Sequence, residues 1–181
     1  DVQDFMVIAV GAADYTQALE WTAEVYRAAG ELMAEAGLLH GVADEGGYWP
    51  TFSHNEAALE MLVREIERAR LVPGRDMAIS LDIAASEFGS SGRYRLANEG
   101  RELDSDGLCK MLLGWIARYP IVSIEDPLAE DDGDGFARFA RAAGQVQVVG
   151  DDFLATNAAR IEKAAAQGTC NTALIKPNQA G

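Results

Sequence analysis

The chain has 181 residues, 49% hydrophobic and 24% charged, so it is long and apolar enough to bury a sizeable core and too apolar to be disordered. Its formal net charge of -14 argues against nucleic acid and anionic membranes as partners. No apolar run is long enough to span a membrane, and no signal peptide is visible. The two cysteines, Cys109 and Cys170, share no metal-ligand or redox spacing and read as buried or half-buried thiols. Nothing suggests a disulfide framework, which fits a reducing compartment, and a cytoplasmic location is expected. The chain begins at Asp1 rather than methionine and reads as an excerpt from a longer protein.

Phe5–Val10 is the first strand candidate. A long helix follows over Tyr15–Ala36, with Leu19, Val25, Tyr26, Ala29, Leu32 and Met33 forming an apolar stripe at helical spacing. Asp14 suits its N-cap and Gly37 its C′ position. A loop spans His40–His54, and a second helix runs from Asn55 to Arg70, with Leu59, Leu62, Val63, Ile66 and Ala69 on one face. Pro73 and Gly74 end it, and strand Met77–Ile83 begins.

From there the order is regular. Helix Asp106–Arg118 precedes strand Ile121–Glu125, helix Gly135–Ala143 precedes strand Val146–Asp151, and helix Ala158–Gln167 precedes strand Thr172–Lys176. Repeated helix-then-strand order predicts a parallel sheet with crossover helices. About five strands are present, whereas a (β/α)8 barrel needs eight and about 250 residues. The pattern fits part of a barrel or a smaller doubly wound sheet.

Four apolar runs each end in a charged residue: Asp82, Glu125, Asp151 and Lys176. In a parallel barrel the carboxyl ends of the strands share one mouth, where the active site is built. Neighbouring strands lie about 4.8 Å apart, so three anions there repel unless a cation sits among them. An all-oxygen set suits Mg²⁺, and the lack of nearby nitrogen and sulfur ligands argues against zinc. Lys176 is either a lysine whose head reaches solvent or a general base. A divalent ion beside it disfavours the ammonium and lowers its pKa.

The paired glycines of Asp44-Glu45-Gly46-Gly47 let that loop bend and present Glu45, although an acidic turn has the same composition. Asp131, Asp132 and Asp134 read as hydrated loop acids, and Trp21, Trp49 and Trp115 as packing residues. GxxxxGK, HExxH and GxSxG motifs are absent.

The stretches GVADEGGYWP, SLDIAASEF, YPIVSIEDPLAEDD, VVGDDFLATN and LIKPNQAG together resemble the enolase family, and QDFMVIAVGA resembles the start of its barrel. They occur in that family's order and cover nearly the whole chain. The resemblance implies a TIM-type (β/α)8 barrel of the enolase kind, here incomplete, holding about strands two to six of the C-terminal domain. An N-terminal α+β domain and the last barrel strands would lie outside this chain. It implies an Mg²⁺-dependent lyase of glycolysis, a phosphopyruvate hydratase converting 2-phosphoglycerate to phosphoenolpyruvate.

By that resemblance Asp82, Glu125 and Asp151 are Mg²⁺ ligands, Lys176 removes the C2 proton, and Glu45 helps the 3-hydroxyl leave. Gln3 and Asp4 would lie near the substrate. A lysine base paired with Mg²⁺ is that superfamily's established pattern. The partner implied is a phosphorylated small molecule, and the full-length protein is expected to be a homodimer. The isolated piece is expected to be inactive.

One departure stands out: the family usually has Gln-Glu-Phe where this chain has Gln3-Asp4-Phe5. Asp4 is one methylene shorter than the glutamate that helps set up the acid placed at Glu45. The alternatives are therefore an enolase-like protein with impaired catalysis, kept for binding or structure, or one acting on another carboxylate. The Lys-x-Lys of related dehydratases and racemases is missing.

Overall fold

The computed structural model describes residues 1–179. Its packing divides the chain into two compact units: Val7–Ala78, and residues 1–6 joined to those from Ile79 onward.

Strand β1 (Asp4–Ile8) opens the chain and helix α1 (Tyr15–Glu35) follows. Asp14 caps α1 as expected, accepting a hydrogen bond from the Gln17 N–H at 2.8 Å, and Gly37 takes the positive φ of a C′ residue. The buried stripe is Val25, Ala28, Ala29 and Met33, with Leu19 and Tyr26 exposed, so the face that packs is rotated from the one expected. Small alanines on that face let another element approach closely. Tyr26 stacks on Tyr48, with ring centroids 4.3 Å apart, and donates its hydroxyl hydrogen to the Gly46 carbonyl at 2.7 Å.

The loop expected over His40–His54 is a hairpin instead, made of β2 (Leu39–Val42) and β3 (Tyr48–Pro50). Its turn closes through the Ala43 N–H to the Gly47 carbonyl and the Gly46 N–H to the Ala43 carbonyl, and Gly46 has φ +89°. Helix α2 (Asn55–Arg68) ends earlier than expected, because Arg70 turns left-handed at φ +62°. Val25, Ile66 and Met77 form the buried cluster of this unit, with Val7, Ala9, Trp21, Ala69 and Leu71 packed against it.

The other unit continues with β4 (Ala78–Asp82). An antiparallel meander comes next, in a stretch the sequence reading leaves unassigned: β5 (Gly89–Ser90), β6 (Arg93–Leu96) and β7 (Arg101–Asp104). Then come α3 (Ser105–Arg118), β8 (Ile121–Glu125), α4 (Gly133–Ala142), β9 (Gln147–Gly150), α5 (Ala158–Gln167) and β10 (Thr172–Ala173). Side chains of Asp104, Asp132 and Asn157 cap α3, α4 and α5.

The main sheet has the order β1-β4-β8-β9-β10, and β4, β8, β9 and β10 pair in parallel. It is an open, five-stranded part of a barrel among the described residues. Its central strands β4, β8 and β9 read as apolar runs because they are mostly buried on both faces. Ile79, Leu81, Ile124 and Val148 are fully buried, each worth roughly 1.5–3 kcal/mol of hydrophobic stabilisation. Trp115 and Cys109 are buried as expected, whereas Trp49 is 65% exposed and is not a packing residue here. Asp132 is not a hydrated loop acid either: it accepts hydrogen bonds from the Tyr94 hydroxyl, the Ser105 hydroxyl and the Gly135 N–H.

Strand β10, the last of this sheet, is shorter than the apolar run ending at Lys176. Leu174 still donates its N–H to the Gly150 carbonyl, but the Lys176 N–H goes to Thr156 Oγ1 at 3.0 Å, and Pro177 has no N–H to continue a ladder. Lys176 therefore sits in the loop after β10 rather than at the strand's end.

Candidate active site

Parallel pairing fixes the carboxyl ends of β4 and β8 side by side, with Asp82 directly opposite Glu125. Asp151 is the first residue after β9, and Asp126 follows Glu125. These four acids converge because their strands are adjacent and in register. Lys176 joins them from the loop after β10, its ammonium donating to Asp151 Oδ2.

The Asp82 carboxylate accepts hydrogen bonds from the Ala84 N–H at 3.0 Å and from Gln3 Nε2 at 3.3 Å. Burial first, then the charges of Asp126, Asp4 and Asp151, push its pKa up to about 7, against the Ala84 hydrogen bond. Glu125 rises to about 8, from burial and then from Asp82, Asp126 and Asp151, with Lys176 opposing. Asp126 rises to about 6 through burial, held down by N–H groups of Asp152, Asp151 and Phe153.

The protein's own groups shift Lys176 upward. Its hydrogen bond to Asp151 comes first, and with the charges of Asp151, Glu125 and Asp152 it outweighs desolvation and raises the ammonium's pKa. The protein's own charges hold Lys176 protonated.

A second layer of polar contacts fixes this corner. Gln179 Nε2 donates to Asp151 Oδ1 at 3.2 Å, and Thr156 Oγ1 donates to Gln179 Oε1 at 2.6 Å. Thr156 and Ala155 both have positive φ, +54° and +48°, a strained pair that turns the chain sharply after β9.

Carboxylate oxygens of Glu125, Asp126 and Asp151 lie within 4.8 Å of one another. In that trio Asp126 stands where Asp82 was expected. The donor set is oxygen only, and burial and neighbouring negative charge raise the pKa of Glu125 and Asp126. A small hard divalent cation fits both features, by its preference for oxygen and by its charge.

Of the residues expected from sequence, Asp82, Glu125, Asp151 and Lys176 are brought together. Gln3 touches Asp82, and Asp4 acts on it through its charge. Glu45 is exposed in the β2–β3 turn of the Val7–Ala78 unit. Sequence reasoning missed Asp126, Thr156 and Gln179. Asp126 and Gln179 stand inside SIEDP and KPNQ, so the motifs held them without revealing their contacts.

Parallel strands joined by helices, with acids and a lysine gathered at their carboxyl ends, are what part of a TIM-type barrel presents. Residues 1–181 match the family described as enolase, C-terminal TIM barrel domain, and the chain belongs to that family. It is 42% identical over 183 residues to the enolase of Tropheryma whipplei strain Twist, and equally to that of strain TW08/27. Each alignment covers 100% of this chain and 42% of the relative, so the chain spans less than half the length of these curated relatives. No helix among the described residues is long and apolar enough to cross a membrane.

Proposed function

We propose that the protein containing this chain is an Mg²⁺-dependent lyase that dehydrates 2-phosphoglycerate to phosphoenolpyruvate. The observation that carries this reading is the Lys176 ammonium seated on Asp151, among acids from three adjacent strand ends. The enolase relatives support the substrate.

In this reading Asp82, Glu125 and Asp151 hold the metal. When bound, Mg²⁺ supplies positive charge to the substrate carboxylate and offsets the anionic field that otherwise keeps Lys176 protonated. Lys176 Nζ then takes the proton from C2, and Asp151 orients that nitrogen. Glu45 gives a proton to the departing 3-hydroxyl, while Gln3 and Asp4 line the substrate beside Asp82. The reading implies a cytoplasmic, glycolytic homodimer, with an N-terminal α+β domain and further barrel strands outside this chain.

Absorbance of phosphoenolpyruvate formed by the full-length protein tests this directly. Turnover with Mg²⁺ that is lost on chelation and restored by adding Mg²⁺ is expected. No product at high enzyme concentration would sink the reading.

Asp4 carries a separate expectation. If its short side chain limits the acid half of the reaction, Asp4→Glu raises kcat several-fold. An unchanged kcat in that variant shows that the shortened acid is not limiting.

A further inference from the structure

Asp126 is 3% exposed, and its backbone has φ +38°, which a non-glycine residue adopts only when its surroundings hold it there. They do so on every side. Its N–H donates to the Val149 carbonyl at 3.0 Å, and its carbonyl accepts from the Ala85 N–H at 3.2 Å. Its carboxylate collects three N–H groups from the turn after β9. Oδ1 accepts from Asp151 at 3.2 Å and Phe153 at 3.4 Å, and Oδ2 accepts from Asp152 at 2.8 Å. One residue thus ties the ends of β4, β8 and β9 together through its backbone and side chain, and its carboxylate fixes the backbone that carries Asp151.

We propose that Asp126 is a positioning residue, which places the Asp151 carboxylate against Glu125 and Lys176 and is not itself a metal ligand. This rests on the proposed metal-dependent lyase. Proximity argues for the opposite role, since Asp126 lies within ligand distance of Glu125 and Asp151. The hydrogen bonds argue for the positioning role. Both Asp126 oxygens are engaged by backbone donors, whereas among the described residues the Asp151 carboxylate meets only the side chains of Lys176 and Gln179. Backbone N–H groups of a tight turn cannot leave without unfolding it.

The test is Mn²⁺ affinity of the full-length protein by electron paramagnetic resonance, alongside its denaturation midpoint, for Asp126→Ala, Asp126→Asn and Asp151→Asn. Outer-shell groups that orient a ligand change metal affinity about 10–100-fold. Asp126→Ala is expected to weaken Mn²⁺ binding by that factor. Asp126→Asn, which keeps an oxygen for the Asp151 and Phe153 N–H groups, should lose clearly less, and less than Asp151→Asn.

Asp126→Ala within twofold of the unmodified protein overturns the inference. So does Asp126→Asn as damaging as Asp151→Asn, the signature of a ligand. If the alanine variant does not fold, the comparison of the two asparagine variants decides alone. Phosphoenolpyruvate formation by the unmodified protein is read in parallel. Its absence with the expected affinity order removes the lyase and leaves the positioning role. Its presence with unchanged affinities removes the positioning role and leaves the lyase.

Discussion

Lys176→Ala in the full-length protein is expected to lower phosphoenolpyruvate formation by about 10²–10⁴-fold, the range for loss of a positioned general base. Two effects overlap in that variant. It loses the proton acceptor, and it strips Asp151 of its cationic partner. Lys176→Arg separates them. Arginine keeps a positive charge beside Asp151 but cannot be deprotonated in a protein, so it serves as counter-ion and not as base. If Lys176 is the base, arginine is as inactive as alanine while Mn²⁺ affinity stays near that of the unmodified protein. Recovery of turnover by arginine to within about tenfold of the unmodified enzyme, well inside the loss set by the general-base range, would reduce Lys176 to an electrostatic role.

The same lysine shows how far sequence reached. Its proximity to the acids was legible because parallel strands write themselves as apolar runs, and each run points at its own carboxyl end. Its exact seat was not. β10 pairs for only two residues, and Thr156, twenty positions earlier, captures the Lys176 N–H. A side-chain hydroxyl replacing a ladder bond leaves no periodic trace. The chain's own charges near Lys176, those of Asp151, Glu125 and Asp152, raise its pKa, and the lowering expected from a divalent ion would act against them.

Other misses have different causes. The β6 strand alternates cleanly, Arg93 and Arg95 outward with Tyr94 and Leu96 buried. Ser91 and Gly92 before it both take positive φ, +50° and +71°, as a tight two-residue hairpin requires. The Ser-Gly dipeptide is a turn signal, but the strands around it are only two to four residues long and too short for a periodic pattern. The β2–β3 hairpin was harder to read, since glycines and a proline dilute its short strands. Asp126 was hidden for a third reason: its partners are backbone N–H groups, which every residue but proline carries.

Glu65 supplies the second large effect, and it acts on stability rather than chemistry. It lies in α2, 2% exposed, and its Oε1 has no hydrogen-bond partner among the described residues. Burial raises its pKa from 4.5 to about 7, with Arg64 opposing only in part, and its charge in turn raises the pKa of Tyr48. The sign follows from linkage. Below pH 4.5 the acid is protonated folded or unfolded and costs nothing. Between 4.5 and about 7 the unfolded chain ionises first, so stability falls as pH rises. Above that the cost is complete, roughly 3 kcal/mol for a shift of this size.

Glu65→Gln removes the titration while keeping the shape. In urea unfolding of the full-length protein, the variant should gain on the unmodified protein by roughly 3 kcal/mol between pH 4.5 and pH 8, with most of the gain appearing below pH 7. A difference between the two proteins that does not change with pH would mean that Glu65 is solvated or paired in solution, and the buried-acid account would fail.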